Sequence, residues 1–212
     1  MIRLLVADDH PMFRQGVVWL LSEEIDFEVV AQAADSAEVF SAIRDHALDL
    51  VVLDLTMPGR DGVEMISNIR RIAPTLKILA LTMHREEQYA ARALNAGCQG
   101  YITKDYAGEQ LVAAVRRLAA GSSYICPIIA ERLAMEFTRK GAEKAPHARL
   151  SNREYKVFEM LVGGKSGAQI AEELSLSAKT ISSHKTRLLR KMNLDNLTGL
   201  VRYAMDHNLL PG

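Results

Sequence analysis

Leu50-Val51-Val52-Leu53-Asp54-Leu55-Thr56-Met57-Pro58 is the stretch on which the reading of this chain turns. Four apolar residues run unbroken into one carboxylate, and a turn follows at Pro58-Gly59 and Asp61-Gly62. A short apolar run between breakers reads as a strand buried on both faces, as in a parallel sheet. Asp54 then stands where the strand leaves the sheet, the edge at which open α/β sheets bind ligands. A single Asp at a strand end is weak evidence, because such residues commonly start turns. Its meaning depends on which other residues reach the same edge.

Working outward, strands are expected at residues 3–7, 27–31, 77–81 and 98–102. Helices are expected between them: one opened by His10-Pro11, then about 36–46, 63–72 and 86–95, the last closed by Gly97. A further amphipathic helix carries Leu111, Val112, Val115 and Leu118 and ends at Gly121. Five strands alternating with five helices imply a parallel sheet with helices on both faces. Right-handed crossovers put every strand's carboxyl end on one edge. Asp8, Asp9, Asp54, Thr82 and Lys104 should therefore meet there. No Gly-x-Gly-x-x-Gly follows the first strand, which counts against a dinucleotide site.

Three carboxylates in one pocket repel unless a cation joins them. Oxygen ligands at a watery edge favour Mg²⁺, with the backbone carbonyl of Thr56 placed to complete its shell. Beside such an ion Asp54 can act as a nucleophile toward a phosphoryl group. Lys104 can pair with a phosphoryl oxygen, and the Thr82 hydroxyl can donate to another. Each residue also has a plainer use: Asp8 or Asp9 as a helix cap, Thr82 as another, Lys104 as a solvated charge. Their joint placement at successive strand ends favours the pocket.

At 212 residues the chain suggests one large or two modest domains, and 49% hydrophobic with 25% charged residues is ordinary for a globular protein. Cys98 and Cys126 have no metal-ligand spacing and read as buried thiols in a reducing cytosol. No apolar run approaches the roughly 18 residues of a membrane span, and no signal-peptide pattern opens the chain, so a cytoplasmic protein is expected. The zero net charge hides a split. Residues 1–120 hold 12 Lys+Arg against 17 Asp+Glu, and residues 121–212 hold 14 against 9. An acidic front and a basic back suggest two domains with different partners.

The expected division is 1–121 for the α/β unit, 122–149 for a linker with a helical first part, and 150–212 for an all-helical unit. Residues 127–139 can form a helix, and Gly141 to Ala148 reads as a tether. In the last unit Ser151 with Glu154 signals a helix start to about Val162. Further helices are expected at 168–174, 178–192 after a cap at Ser177, and 197–208. Two short helices joined by a tight turn, the second basic, suggest helix-turn-helix DNA binding. From Ser175 to Leu194 there are five Lys/Arg and no acid. At about 100° per residue, Ile181, Leu188 and Met192 share the inner face. Lys179, Ser183, Thr186, Arg187 and Arg190 cluster opposite with Ser182 at the flank, a mixture suited to base edges and phosphates.

Residues 1–120 resemble the receiver domain of two-component response regulators. The signs are Asp8-Asp9, Asp54, Met57-Pro58-Gly59 with Asp61-Gly62, Thr82, and Tyr101 with Lys104. The resemblance implies a flavodoxin-like five-stranded fold, phosphorylation of Asp54 by a sensor histidine kinase, and Mg²⁺ held by Asp9 and by Asp8 directly or through water. It makes Thr82 and Tyr101 a switch pair, the ring turning inward as the hydroxyl reaches the phosphoryl group. Asp105 stands where many receivers have a proline held by a cis bond, which is costly without proline.

Leu150-Ser-Asn-Arg-Glu, Gln169-Ile-Ala-Glu-Glu-Leu-Ser-Leu-Ser, Lys179-Thr-Ile-Ser-Ser-His184 and Arg190-Lys191-Met192 resemble the LuxR/NarL-type DNA-binding domain, a four-helix unit. This implies that the helix after Ser177 enters the major groove of double-stranded DNA, with Lys179, Thr180, Ser182, Ser183, Lys185, Thr186, Arg187 and Arg190 as contacts. It also implies that the last helix docks a second copy through Leu197, Leu200, Val201 and Ala204. Gln169 replaces the usual acid, Lys185 lies toward the core face and should snorkel outward, and the short Ser182 and Ser183 suit water-mediated readout. The expected whole is a phosphorylation-activated transcription regulator, a homodimer at least when active or on DNA and either a closed monomer or already a dimer without phosphate, not an enzyme beyond its own phosphorylation and slow dephosphorylation, with RNA polymerase a candidate partner. Two rivals stand beside it. One is a Mg²⁺-dependent phosphatase with an Asp nucleophile, although those enzymes carry Asp-x-Asp after the first strand. The other is a LuxR-type sensor of a small ligand, which would need a roomy apolar pocket.

Overall fold

The computed structural model describes residues 1–57, 62–83, 87–138, 145–150, 152–174, 176–207 and 209. The expected turn at Pro58, Gly59 and Asp61, the helix start at Glu86, tether residues 141–144, the Ser151 cap, Ser175 and Asn208 lie outside them. The chain divides into two compact units, Met1–Arg139 and Lys140–Gly212.

In the first unit the strands are β1 (Ile2–Ala7), β2 (Phe27–Ala33), β3 (Leu50–Asp54), β4 (Lys77–Thr82), β5 (Gly100–Thr103) and β6 (Tyr124–Ile125), all parallel, in the order β2-β1-β3-β4-β5-β6. The helices are α1 (Pro11–Ser22), α2 (Ser36–Asp45), α3 (Gly62–Ile72), α4 (Glu87–Ala96), α5 (Ala107–Ala119) and α6 (Pro127–Thr138). Side chains alternate between two cores as strand geometry requires. Leu5, Ala7, Val51, Leu53, Ile78, Ala80 and Tyr101 enter one core with residues of α2, α3, α4 and α6. Leu4, Val6, Leu50, Val52, Leu79, Leu81 and Ile102 enter the other with residues of α1 and α5. Hence β3 has no polar position before Asp54: both faces of the strand are covered by helices.

The sixth strand departs from the five expected. It follows α5, which Gly121 closes at φ +84°. The backbone of Tyr124 then donates to the carbonyl of Gln99 at 3.0 Å, and that of Cys126 to Tyr101 at 3.0 Å. The helix expected at 127–139 packs against α4 within this unit. Among the described residues no peptide bond is cis, and Lys104–Tyr106, which contains Asp105, forms a single 3-10 turn.

The second unit holds a 3-10 turn (Pro146–Arg149) and α7 (Asn152–Val162), α8 (Gly167–Glu173), α9 (Ala178–Met192) and α10 (Leu197–Asp206). Val157, Phe158, Ile170, Ile181, Leu188, Met192, Leu200 and Ala204 form its core. Ser166 caps α8 by accepting from the Gln169 backbone, while the Gln169 side chain accepts from the Ser166 backbone. The glutamine that stands for the usual acid thus completes a reciprocal cap. Ser177 caps α9 by accepting from the Thr180 backbone at 3.1 Å, and Asn193 closes that helix with φ 54°.

Among the described residues no helix is long and apolar enough to cross a membrane.

Candidate functional site

Register alone brings the acidic residues together. Ala7 pairs with Leu53, so Asp8 and Asp54 leave neighbouring strands side by side. Asp54 pairs with Leu81, and Thr82 with Thr103, so Thr82 and Lys104 follow at the same edge. Lys104 Nζ lies 2.8 Å from Asp54 Oδ2 and 2.7 Å from Asp8 Oδ2, joining strands far apart in sequence. All three side chains are buried. Burial works against the Lys104 charge, but the hydrogen bonds and charges of Asp54 and Asp8 outweigh it and hold the ammonium above its ordinary range. The Phe13 ring lies 4.7 Å from the same nitrogen.

Asp54 is positioned from its other oxygen. The backbone and hydroxyl of Thr56 both donate to Oδ1, at 2.9 and 2.8 Å. Leu55 and Met57 are buried and anchor this turn to the core. Across the pocket the His10 backbone donates to Asp8 Oδ1 at 2.8 Å, and the Arg14 guanidinium donates to the Asp8 carbonyl. Thr82 is buried at its strand end, and Tyr101 is 0% exposed. The Tyr101 ring is thus turned into the core that it shares with residues of α4.

Asp8, Asp9, His10 and Asp54 place one ligand atom each within 4.8 Å of one another. Carboxylates of this number and spacing fit a hard divalent cation, and Asp9 Oδ1 is buried with no well-formed hydrogen bond, its contact with His10 Nδ1 at 2.9 Å being that of an ion pair. His10 is the member that the reading of strand ends missed. Its signal was local: it occupies the cap position of α1, where Ser, Thr, Asp or Asn is usual.

In the second unit, α9 exposes Lys179, Ser182, Ser183, Thr186, Arg187 and Arg190, with Thr180 and Lys185 half-buried. Two hydroxyls are turned back onto the helix: Ser183 donates to the Lys179 carbonyl and Thr186 to that of Ser182, both at 3.0 Å. Lys191 is different. Although Lys191 is exposed, its ammonium reaches back to pair with buried Glu154 of α7 at 2.6 Å.

The expected pairing surface needs correction. Leu200 and Ala204 are each 0% exposed inside the unit's own core, so they support α10 rather than face a partner. The outward positions one helical step away are Leu197, at 38% exposure, half-buried Val201, and Met205, at 59%.

Comparison with known proteins finds a match for each unit. Residues 4–116 match the response regulator receiver domain, and residues 148–204 match the LuxR family of bacterial regulatory proteins. The oxygen regulatory protein NreC of Staphylococcus carnosus is 37% identical over 215 residues, covering 99% of each chain. The response regulator UvrY of Escherichia coli is 33% identical, covering 99% of this chain and 96% of its own. Among solved structures, RcsB of Salmonella enterica serovar Typhimurium bound to promoter P1flhDC in the presence of phosphomimetic BeF3- is 28% identical. That comparison covers 97% of this chain and 98% of the other, with a TM-score of 0.72. With a buried Asp-Asp-Lys pocket in one unit and a basic recognition-type helix in the other, the chain belongs to the response regulators, as a transcription regulator joining a receiver domain to a LuxR-type helix-turn-helix domain.

Proposed function

We propose that Asp54 accepts a phosphoryl group from the phosphohistidine of a sensor kinase, and that this controls binding of the helical unit to DNA. The observation carrying the reading is the Lys104 ammonium shared between Asp8 and Asp54 at the carboxyl edge of the sheet. In the transfer an Asp54 oxygen forms a bond to phosphorus as the phosphorus–nitrogen bond breaks, and the electron pair leaves with the donor imidazole. Asp8, Asp9, Asp54 and the Thr56 carbonyl would hold Mg²⁺, which neutralises charge on the transferring group. Thr56 holds one Asp54 oxygen in place while Lys104 stands ready for the incoming phosphoryl oxygens. Thr82 supplies a hydroxyl to the same group, and Tyr101 carries the change into the core beneath α4. The chain's own chemistry ends with this phosphorylation and its slow reversal.

The DNA-facing surface is the outer side of α9, where Lys179, Arg187 and Arg190 meet phosphates and Ser182 lies toward base edges. RcsB has been solved on promoter DNA, and one solved form has two RcsB dimers on two parallel DNAs. By the same arrangement two copies of this chain pair through Leu197, Val201 and Met205 and read a two-fold site. Transfer from acetyl phosphate in the presence of Mg²⁺ tests the first half: wild-type protein gains one acyl phosphate, and Asp54→Asn gains none. Labelling that persists unchanged in Asp54→Asn overturns the assignment. A mobility-shift titration with and without beryllofluoride tests the coupling to DNA.

A further inference from the structure

We propose that His10 is an additional ligand of the cation pocket, and that its imidazole makes the pocket favour ions that accept nitrogen, Mn²⁺ and Co²⁺, over Mg²⁺. The proposal rests on the reading that the pocket takes a divalent cation. His10 Nδ1 lies 2.9 Å from Asp9 Oδ1 and 3.3 Å from Asp8 Oδ1. Two neighbouring ligands on an octahedral ion with bonds of about 2.1 Å stand about 3 Å apart. These are ion-pair contacts, and their lengths also match the spacing of neighbouring ligands on one ion.

Three further observations place the imidazole there for a purpose other than packing or capping. The ring is 66% exposed, so no core holds it. It sits at the helix cap but makes no side-chain capping bond to α1. Its backbone is fixed, by the bond to Asp8 Oδ1 on one side and by Pro11 on the other. The ring is thus delivered to the pocket mouth by a rigid main chain, on the opposite side of the Asp8 carboxylate from Lys104. An imidazole that ligates through Nδ1 gives that nitrogen's lone pair and carries its proton on Nε2. Imidazole binds Mn²⁺ and Co²⁺ readily, whereas Mg²⁺ prefers oxygen and keeps its waters.

The test uses the full-length, metal-stripped protein with His10→Ala and His10→Asn. Mg²⁺ and Co²⁺ affinities are measured by calorimetry, and pulsed electron paramagnetic resonance of bound Mn²⁺ reports any coupling to ¹⁴N. His10→Ala is expected to lower Co²⁺ affinity by about tenfold or more while leaving Mg²⁺ affinity within about threefold. Wild-type protein shows ¹⁴N coupling to Mn²⁺, and both variants lose it. His10→Asn keeps an N–H donor near the Nδ1 position, so wild-type Co²⁺ affinity in that variant would make His10 a carboxylate positioner and overturn ligation. Equal losses of Mg²⁺ and Co²⁺ affinity, or wild-type Mn²⁺ without ¹⁴N coupling, would overturn it too while leaving the carboxylate pocket standing. A wild-type protein that binds none of the three ions removes the cation pocket itself.

Discussion

The backbone of Cys126 donates to the carbonyl of Tyr101 at 3.0 Å. This bond sews the chain that leaves α5 back onto the strand carrying the inward-facing tyrosine. Ile129 and Leu133 of α6 then enter the core that also holds Tyr89, Ala90 and Tyr101. The helix that leads out of the receiver is thereby part of the receiver, packed against the helix that follows Thr82.

A chain ending at residue 121 should accordingly be less stable than one ending at 138. It loses the buried surface of Cys126, Ile129 and Leu133 and bares the side of α4 beneath them. Side chains of this kind stabilise by roughly 1.5–3 kcal/mol each when fully buried. After partial relaxation the shorter chain should unfold about 2–5 kcal/mol more easily. Urea unfolding of the two fragments, followed by circular dichroism, checks the difference.

Lys104→Met leaves Asp8 and Asp54 buried without their shared ammonium. Breaking a buried ion pair from one side costs about 3–5 kcal/mol. The variant should be destabilised by that order in metal-free solution, recover part of the loss with added Mg²⁺, and phosphorylate poorly. Urea melts with EDTA and with Mg²⁺ measure both effects. Equal stability of variant and wild type without metal would mean that the carboxylates do not need the lysine.

Burial pushes the Cys98 thiol from its ordinary 9.0 up to about 12, against the smaller opposing pull of Arg70. A raised pKa in the folded state contributes stability that is intact below the free thiol's pKa and lost as pH climbs toward the folded value. Stability should thus decline between about pH 9 and 12 with a component near 1.4 kcal/mol per unit from this one proton. Cys98→Ala lacks that component, which denaturant melts across the alkaline range would reveal. At pH 8 Cys98 should resist a thiol reagent until urea unfolds the domain.

Much of this was legible in the residues because a parallel sheet leaves few choices. An apolar run buried on both faces must be an inner strand, and residues after successive strands must share an edge. Asp8, Asp54 and Lys104 follow from that rule alone. The bounds of α9 coincide with the reading because Ser177 caps its start and its apolar period is clean. The sixth strand could not be read this way. Two residues carry no periodicity, and β6 exists because the carbonyls of Gln99 and Tyr101 accept the amides of Tyr124 and of Cys126 just after it. The places of His10 and Lys191 were hidden for another reason: both depend on which partner a flexible side chain meets in space. Leu200 and Ala204 were misassigned because an apolar stripe does not say whether it faces its own core or a second copy.

Gly62→Ala should damage the pocket from a distance. A Cβ at this position would lie 2.3 Å from the carbonyl oxygen and 2.5 Å from the Cα of Leu55, both backbone atoms. Leu55 links Asp54 to Thr56, so relief of the clash must disturb the two bonds that Thr56 makes to Asp54. Overpacking of this kind costs about 1–3 kcal/mol. Labelling by acetyl phosphate should slow more than the stability loss accounts for, at a temperature where the variant remains folded.

Two basic residues of α9 should fail in different ways. Arg187 is exposed on the outer face, so Arg187→Ala should leave the melting curve within about 0.5 kcal/mol of wild type. Its effect should fall on DNA: weaker binding, and a salt dependence shallower by about one unit of slope if one phosphate contact is lost. Lys191 is turned to the buried carboxylate of Glu154 at 2.6 Å. Lys191→Met should therefore cost about 1–3 kcal/mol of the helical unit's stability, the range for a charge-assisted bond broken on one side. Once the variant is folded, its salt slope on DNA should match wild type. Salt-titrated binding beside urea melts of the full-length protein separates the two, and a reduced slope for Lys191→Met would place that lysine on the DNA instead.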